Sequence, residues 1–324
     1  MEELFEPRIN LTELNNTVIK IKDEIGKVII GQHQMIDLFI TAILSDGHVL
    51  VEGVPGIAKT LAAKLVAKTL SVDFSRIQFT PDLMPSDILG TSVFNPSTVT
   101  FEFKKGPVFS NIVLIDEINR SPAKTQSALF EVMEERQITI DGNTYMMKKP
   151  FLVFATQNPL EHEGTYRLPE AQLDRFIFKI DVGYPSLEDE MKILQSNNER
   201  KGRKEIDEVS PIMSLEQLLN YQELVKQILI EDNLKMFIAQ IVSKTRNNVS
   251  LYLSASPRAS INIMNASKSF AAMKGRDFVT PDDIREIVPH VLKHRIILTP
   301  EKEMEGRTPQ DIIEEIIKSV EVPR

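Results

Sequence analysis

The sequence contains no cysteine. Disulfides and thiolate-held zinc are therefore excluded. Runs of about twenty apolar residues, the length a bilayer-crossing helix needs, are also missing. The most apolar early segment, "VIIGQHQMIDLFITAIL", is interrupted by His33 and Asp37. The opening "MEELFEPRIN" is acidic and reads as neither a secretory nor an organelle-targeting peptide. A cytoplasmic protein with no membrane insertion is expected. A basic excess is lacking too: 38 Lys and Arg stand against 46 Asp and Glu, a net charge of −8. That balance argues mildly against a general nucleic-acid binder, though a local basic patch is compatible with it. There are no internal repeats and no low-complexity segments.

What is present suits two packed units: 324 residues, 42% of them apolar and 26% charged, enough for ordinary cores under a soluble surface. Short apolar runs recur in the first half: "HVLVEG", "RIQFT", "NIVLIDE", "FLVFATQNP" and "FIFKIDVGYP". Runs apolar on both faces fit strands of a parallel sheet covered by helices. Between them lie segments of helical period. In "KTLAAKLVAKTL", Leu61, Leu65, Val66 and Leu70 share a face and leave Lys64 and Lys68 outside. The alternation predicts a doubly wound α/β domain.

Two stretches interrupt it. "NPSTVTFEFKKGPVF" has hairpin composition, and "RQITIDGNTYMMKKP" carries the two-residue turn signal Asp141-Gly142. Both read as inserted ribbons. Each holds a lysine pair, Lys104-Lys105 and Lys148-Lys149, which either protects a strand edge or offers positive charge to a client. Beyond Pro185 the chain turns helical without convincing strands. In "VTPDDIREIVPHVLKHRI", Thr280 is the expected N-cap and Pro281 the first helical residue. The expected division is 1–188 for the α/β core and 189–324 for a smaller all-helical domain.

The stretch Gly53–Thr60, "GVPGIAKT", follows a predicted strand and opens a predicted helix, the context in which such a loop cradles phosphates. Backbone N–H groups around Pro55–Thr60 would wrap them at the positive end of the helix. Lys59 would reach the β- and γ-phosphates, and the Thr60 hydroxyl would bind Mg²⁺. The usual glycine before the lysine is here Ala58. A negative φ is expected there, which alanine adopts without strain, with Gly53 and Gly56 serving the tighter turns. The plain alternative is a Gly/Pro turn before an ordinary amphipathic helix.

"NIVLIDEINR" ends an apolar strand in Asp116 and Glu117. Carboxylates at a strand's carboxyl end border the crevice of such a sheet, so Asp116 would hold the Mg²⁺ shell and Glu117 would polarise the attacking water. Asn158, at the end of "FLVFATQNP", could position that water or simply form an Asn-Pro turn. In "RLPEAQLDRF", Arg175 closes a short helix, where it could merely complement the dipole. His290 and His294 sit four apart, but with no cysteine available a solvent-facing pair is expected rather than a metal site. His162 in "EHEGTY" is a similar decoy.

The order of these blocks resembles the AAA+ ATPases and, within them, the MoxR family, over nearly the whole chain. "GVPGIAKT", "TPDLMPSDILG", "GPVFSNIVLIDEINRSPAKTQSALFEVMEE", "ATQNPLEHEGTYRLPEAQLDRF" and "SASPRAS" are similar to that family's blocks, in the same order. The resemblance implies ATP with Mg²⁺, and a Walker A set of Gly53, Val54, Pro55, Gly56, Ile57, Ala58, Lys59, Thr60 and Leu61. It further implies Asp116 and Glu117 as Walker B, Asn158 as sensor 1, Arg175 as the arginine finger and Arg258 in "SASPRAS" as sensor 2. Arg167, eight residues before Arg175, is a second candidate for the finger. The ribbons would be a helix-2 insert (~93–106) and a hairpin before sensor 1 (~137–150). By the same resemblance the chain would form a ring, usually a hexamer. Its clients would be proteins, often with a partner bearing a von Willebrand factor A domain. Motor subunits of chelatases and nucleic-acid motors carry similar inserts and are the competing classes.

Overall fold

The structure, a computed structural model, describes residues 9–54, 56–159 and 166–323. All five expected strands form: β1 (His48–Gly53), β2 (Phe74–Gln78), β5 (Ile112–Asp116), β8 (Leu152–Gln157) and β9 (Phe176–Val182), with the ribbon strands β3 (Gly90–Asn95), β4 (Thr100–Lys105), β6 (Gln137–Ile140) and β7 (Asn143–Met146) between them. The five make one parallel sheet in the order β2-β5-β8-β1-β9. Alternate residues enter separate cores. Val49, Val51, Ile112, Leu114, Leu152 and Phe154 face one side, while Leu50, Val113, Ile115, Val153 and Ala155 face the other. A strand with apolar side chains on both faces is stable only with cover on both, which explains the near-continuous apolar runs.

Both inserted ribbons are antiparallel hairpins. Asp141 and Gly142 both take positive φ, 50° and 77°, the two-residue turn that matches strand twist. The ribbons dock on one another. Phe103 and Tyr145 lie with ring centroids 4.5 Å apart, and Ser92 Oγ donates to Asp141. The far end of the first ribbon is bare: Phe94 pairs with Phe101 across its strands, and Phe101 is 73% exposed. Of the lysine pairs, Lys148 faces Asp73 at 3.4 Å and Lys105 lies over the Phe109 ring.

Past Pro185 come helices Leu187–Arg200, Leu215–Lys226, Asp232–Arg246, Pro257–Met273, Pro281–Leu292, Pro300–Met304 and Pro309–Ser319. Thr280 caps its helix as expected: its hydroxyl accepts from the Asp283 N–H, and Asp283 returns a bond to the Thr280 N–H. The expectation of no strands here meets one exception, a short antiparallel pair, β10 (Leu251–Leu253) with β11 (Ile297–Leu298). Helix His33–Leu44 is buried nearly all round because it packs against β1 and β9 on one side and two of the later helices on the other. One apolar cluster therefore runs continuously from the sheet into the helical part. Among the described residues no helix is long and apolar enough to cross a membrane.

The expected solvent-facing histidine pair is corrected. The helix stops at Leu292, so His294 lies beyond it. There it is buried, its Nε2 2.8 Å from the Arg295 guanidinium and 3.1 Å from the Phe176 carbonyl oxygen. A fixed cation occupies that nitrogen in place of a metal. His290 is half-buried against Gln34. Burial lowers the affinity of both for protons, His290 to a pKa of about 4 and His294 well below the usual value. His48, the first residue of β1, is buried, accepts the Val153 N–H, and is lowered to about 3, chiefly by burial.

These three histidines must stay neutral in the folded chain, whereas the unfolded chain protonates them below about pH 6.5. Stability from this source is thus complete above that pH and lost as pH falls. Denaturant titrations should give an unfolding free energy about 4 kcal/mol lower at pH 5.5 than at pH 7.5. A flat profile over that range would show that the rings are not held neutral.

Candidate active site

The phosphate loop leaves the carboxyl end of β1 and enters helix Lys59–Thr69. Gly56 and Ala58 both hold left-handed backbones, at φ 86° and 61°. Such alternation turns neighbouring N–H groups to one concave side, which suits an anion. The expected negative φ at Ala58 is therefore overturned. Its methyl group occupies a conformation that costs an L-residue roughly 1 kcal/mol relative to glycine, which is why glycine is the usual residue there. Gly53 is not left-handed; a Cβ on it would come within 2.6 Å of the Val182 carbonyl oxygen in the adjacent β9. Val54 is half-buried and Ile57 buried. Pro55 lies outside the described residues, as does His162.

Lys59 Nζ donates to the carbonyls of Val54, at 2.9 Å, and Gly53. Its helix opens on a cleft of about 380 Å³ lined by Gly56, Ile57, Ala58, Lys59, Thr60, Leu61, Asp116, Glu117 and Asn158, with Arg76, Gln78, Thr156 and Gln157. Most of the expected phosphate-site and carboxylate residues thus converge. The sheet order explains how, since β1, β8 and β5 are neighbours and their carboxyl ends lie together.

Asp116 is 4% exposed. Its Oδ1 accepts from Thr60 Oγ1 at 2.7 Å and from Thr156 Oγ1 at 3.2 Å, and its Oδ2 accepts from Arg76 Nε at 2.6 Å. Glu117 is left-handed at φ 57°, a strained conformation of the kind found at functional sites. Its N–H donates to Thr156 Oγ1. Its Oε2 accepts from Gln78 Nε2 at 2.8 Å and lies 3.3 Å from Arg120 Nε. Asn158 is buried at the end of β8, at the cleft wall.

The donor set has the chemistry that Mg²⁺ prefers. The Thr60 hydroxyl and the Asp116 carboxylate are adjacent hard oxygens, and among the described residues no group of three or more His, Asp or Glu forms a cage. That fits an ion that keeps several waters and takes further oxygens from phosphate.

The arginines are elsewhere. Neither Arg175 nor Arg258 lines the cleft. Both meet Glu134, Arg258 Nη2 at 2.6 Å and Arg175 Nε at 3.5 Å. Arg167 is exposed beside Glu170 at 3.6 Å.

Sequence reading missed Arg76, Gln78 and Thr156. The first two alternate along β2 and so share a face, but their meaning depends on the pairing of β2 with β5, where Gln78 lies opposite Asp116. It also missed an adjoining pocket of about 470 Å³, where Val28, Ile29, Ile30 and Tyr184 meet Ile57, Ala58 and Leu61. The apolar "VIIG" between the first two helices, left without a helix to bury it, was the available signal.

Residues 48–178 match the family described as "ATPase family associated with various cellular activities (AAA)", and residues 243–316 match the "AAA lid domain". The chain is 45% identical to the uncharacterized protein YeaC of Bacillus subtilis over 96% of both chains. It is also 45% identical to Chaperone MoxR1 of Mycobacterium tuberculosis, over 93% of this chain and 81% of that one. A crystal structure of a Cytophaga hutchinsonii protein proposed to be an ATPase superposes with a TM-score of 0.89 at 43% identity, covering 97% of both chains.

Because Ala58 is left-handed, Ala58→Gly should raise the unfolding free energy by about 1 kcal/mol. A loss of stability in urea titration would contradict the backbone assigned to this loop.

Proposed function

The chain belongs to the MoxR family of AAA+ ATPases, and from that premise we propose that it hydrolyses ATP at seams between its own copies in a ring and delivers the motion to protein partners. The supporting observation is the separation of parts: phosphate loop and carboxylates line one cleft, while Arg175 and Arg258 stand apart from it on a shared carboxylate. A site that hydrolyses efficiently needs positive charge at the γ-phosphate. On this reading the two arginines supply it to the cleft of a neighbour. The core would comprise residues 1–188 and the lid 189–324.

Within one cleft, the N–H groups of the Gly56–Leu61 turn and Lys59 would hold the phosphates, and the apolar pocket beside Ile29 and Tyr184 would take the base. Thr60 and Asp116 would hold Mg²⁺, which when bound neutralises charge on the β- and γ-oxygens. Glu117 would accept a proton from the attacking water, with Gln78 fixing the carboxylate and Asn158 orienting the water. The client side would be the first ribbon, whose Phe94, Val99 and Phe101 leave an apolar patch open. A protein client fits that patch better than nucleic acid does, and a partner with a von Willebrand factor A domain belongs to the same proposal.

Glu117→Gln should retain ATP and lose about a hundredfold or more in turnover. Arg175→Ala should bind ATP normally and hydrolyse it about a thousandfold more slowly. Mixing Arg175→Ala with Lys59→Ala subunits should restore activity, since each Lys59→Ala subunit lends an intact arginine. Turnover per subunit that does not change on dilution, or an Arg175→Ala variant at wild-type rate, would sink the seam.

A further inference from the structure

Arg258 is the second residue of helix Pro257–Met273. A cation there opposes the positive end of the helix dipole, so the position needs a nearby counter-charge. Asp174 supplies little of it. Its Oδ1 accepts from Arg295 Nε at 2.7 Å, its Oδ2 accepts from Ser256 Oγ at 3.0 Å, and Arg258 Nη1 is 3.9 Å away. Arg295, only 4% exposed, also donates to the main-chain carbonyl oxygens of Asp174 and Phe176, which commits that carboxylate to the lid. Glu134 is what remains. Its Oε1 takes Arg258 and its Oε2 takes Arg175.

Helix Ala123–Glu135 builds the seat for Arg175. Phe130 and Glu134 are four apart and share a face. The Arg175 guanidinium lies over the Phe130 ring, 5.8 Å from its centroid, with Glu134 at its edge. Among the described residues of this cluster, three guanidiniums (Arg175, Arg258 and Arg295) stand against two carboxylates (Glu134 and Asp174), an excess of one positive charge on a partly exposed surface. A phosphate oxygen is the complement that surplus would accept.

We propose that Glu134 is a positioning residue for the reaction in the neighbouring subunit: one carboxylate, bridging both guanidiniums, holds the two arginines side by side so that they meet the γ-phosphate as a pair. This rests on the reading of Arg175 and Arg258 as trans-acting. Two like charges otherwise repel and spread over many rotamers, and a misplaced group costs about a hundredfold in rate. Glu134 is not among the residues that line the cleft, and among the described residues its ion pairs are with the two arginines.

The test is Glu134→Gln, which keeps size and polarity and removes charge. Turnover should fall about ten- to hundredfold with ATP affinity and unfolding midpoint unchanged. Mixing with Lys59→Ala subunits should restore it, because those subunits carry an intact Glu134, Arg175 and Arg258. In an Arg175→Ala, Arg258→Ala background, Glu134→Gln should have no further effect. Wild-type turnover in Glu134→Gln overturns the proposal. So does a loss that Lys59→Ala subunits fail to rescue while rescuing Arg175→Ala. If neither variant is rescued, the trans-acting reading fails, and this proposal with it.

Discussion

The buried carboxylate of Asp116 is the constraint around which the site is arranged. A charge so removed from water must be matched by donors that converge on it. Here they come from three separate places: Thr60 on the phosphate-loop helix, Thr156 on β8 and Arg76 on β2. The loop is thereby tied to the sheet through its own hydroxyl, and three strands share one anchor at their carboxyl ends. Glu117, one residue on, is steered by the same neighbours, since Thr156 takes its N–H and Gln78 its carboxylate. Two strained backbones, at Ala58 and Glu117, flank this anchor. Local preference gives way to global geometry around this cleft, as it does at functional positions in general.

The elements legible from sequence are those whose physics is local. Strands buried on both faces announce themselves by composition, and all five appear. Asp141-Gly142 is a turn because only certain residues tolerate positive φ twice in succession, and Thr280 caps a helix because its hydroxyl reaches the next turn. What escaped depends on partners distant in sequence. Arg76 and Gln78 acquire meaning only when β2 pairs with β5. The apolar pocket joins residues near 29, 57 and 184. Ala58 departs from the expected negative φ because it is the cap of its helix, outside the helical backbone region. His294 departs from the helical spacing because the helix ends two residues before it. The pairing of β10 with β11 involves too few residues to leave a periodic signal.

The arginines illustrate a different limit. Motif order brings Arg175 and Arg258 onto the page as candidates, but their shared dependence on Glu134 appears only when the finger strand, the lid helix and helix Ala123–Glu135 are packed together. Arg295 deepens this link. Buried where the lid meets the sheet, it fastens Asp174, the residue immediately before Arg175, to the end of helix Pro281–Leu292. The stem of the proposed finger is thus set by the lid of its own subunit.

Helix Ala123–Glu135 joins the cleft side of the sheet to the ribbons. It spans about 20 Å. Its base follows Glu117 by a single short turn, its far half carries Phe130 and Glu134, and its tip leads within two residues into β6. The ribbon it feeds is fastened to the other ribbon by Phe103 against Tyr145 and by Ser92 against Asp141. On the proposed reading, a stiff rod with these attachments would act as a rocker arm: pivoted near Glu117, counterweighted under the guanidinium pair and bladed with two ribbons, it would turn small angular play into displacement over a span of thirteen residues.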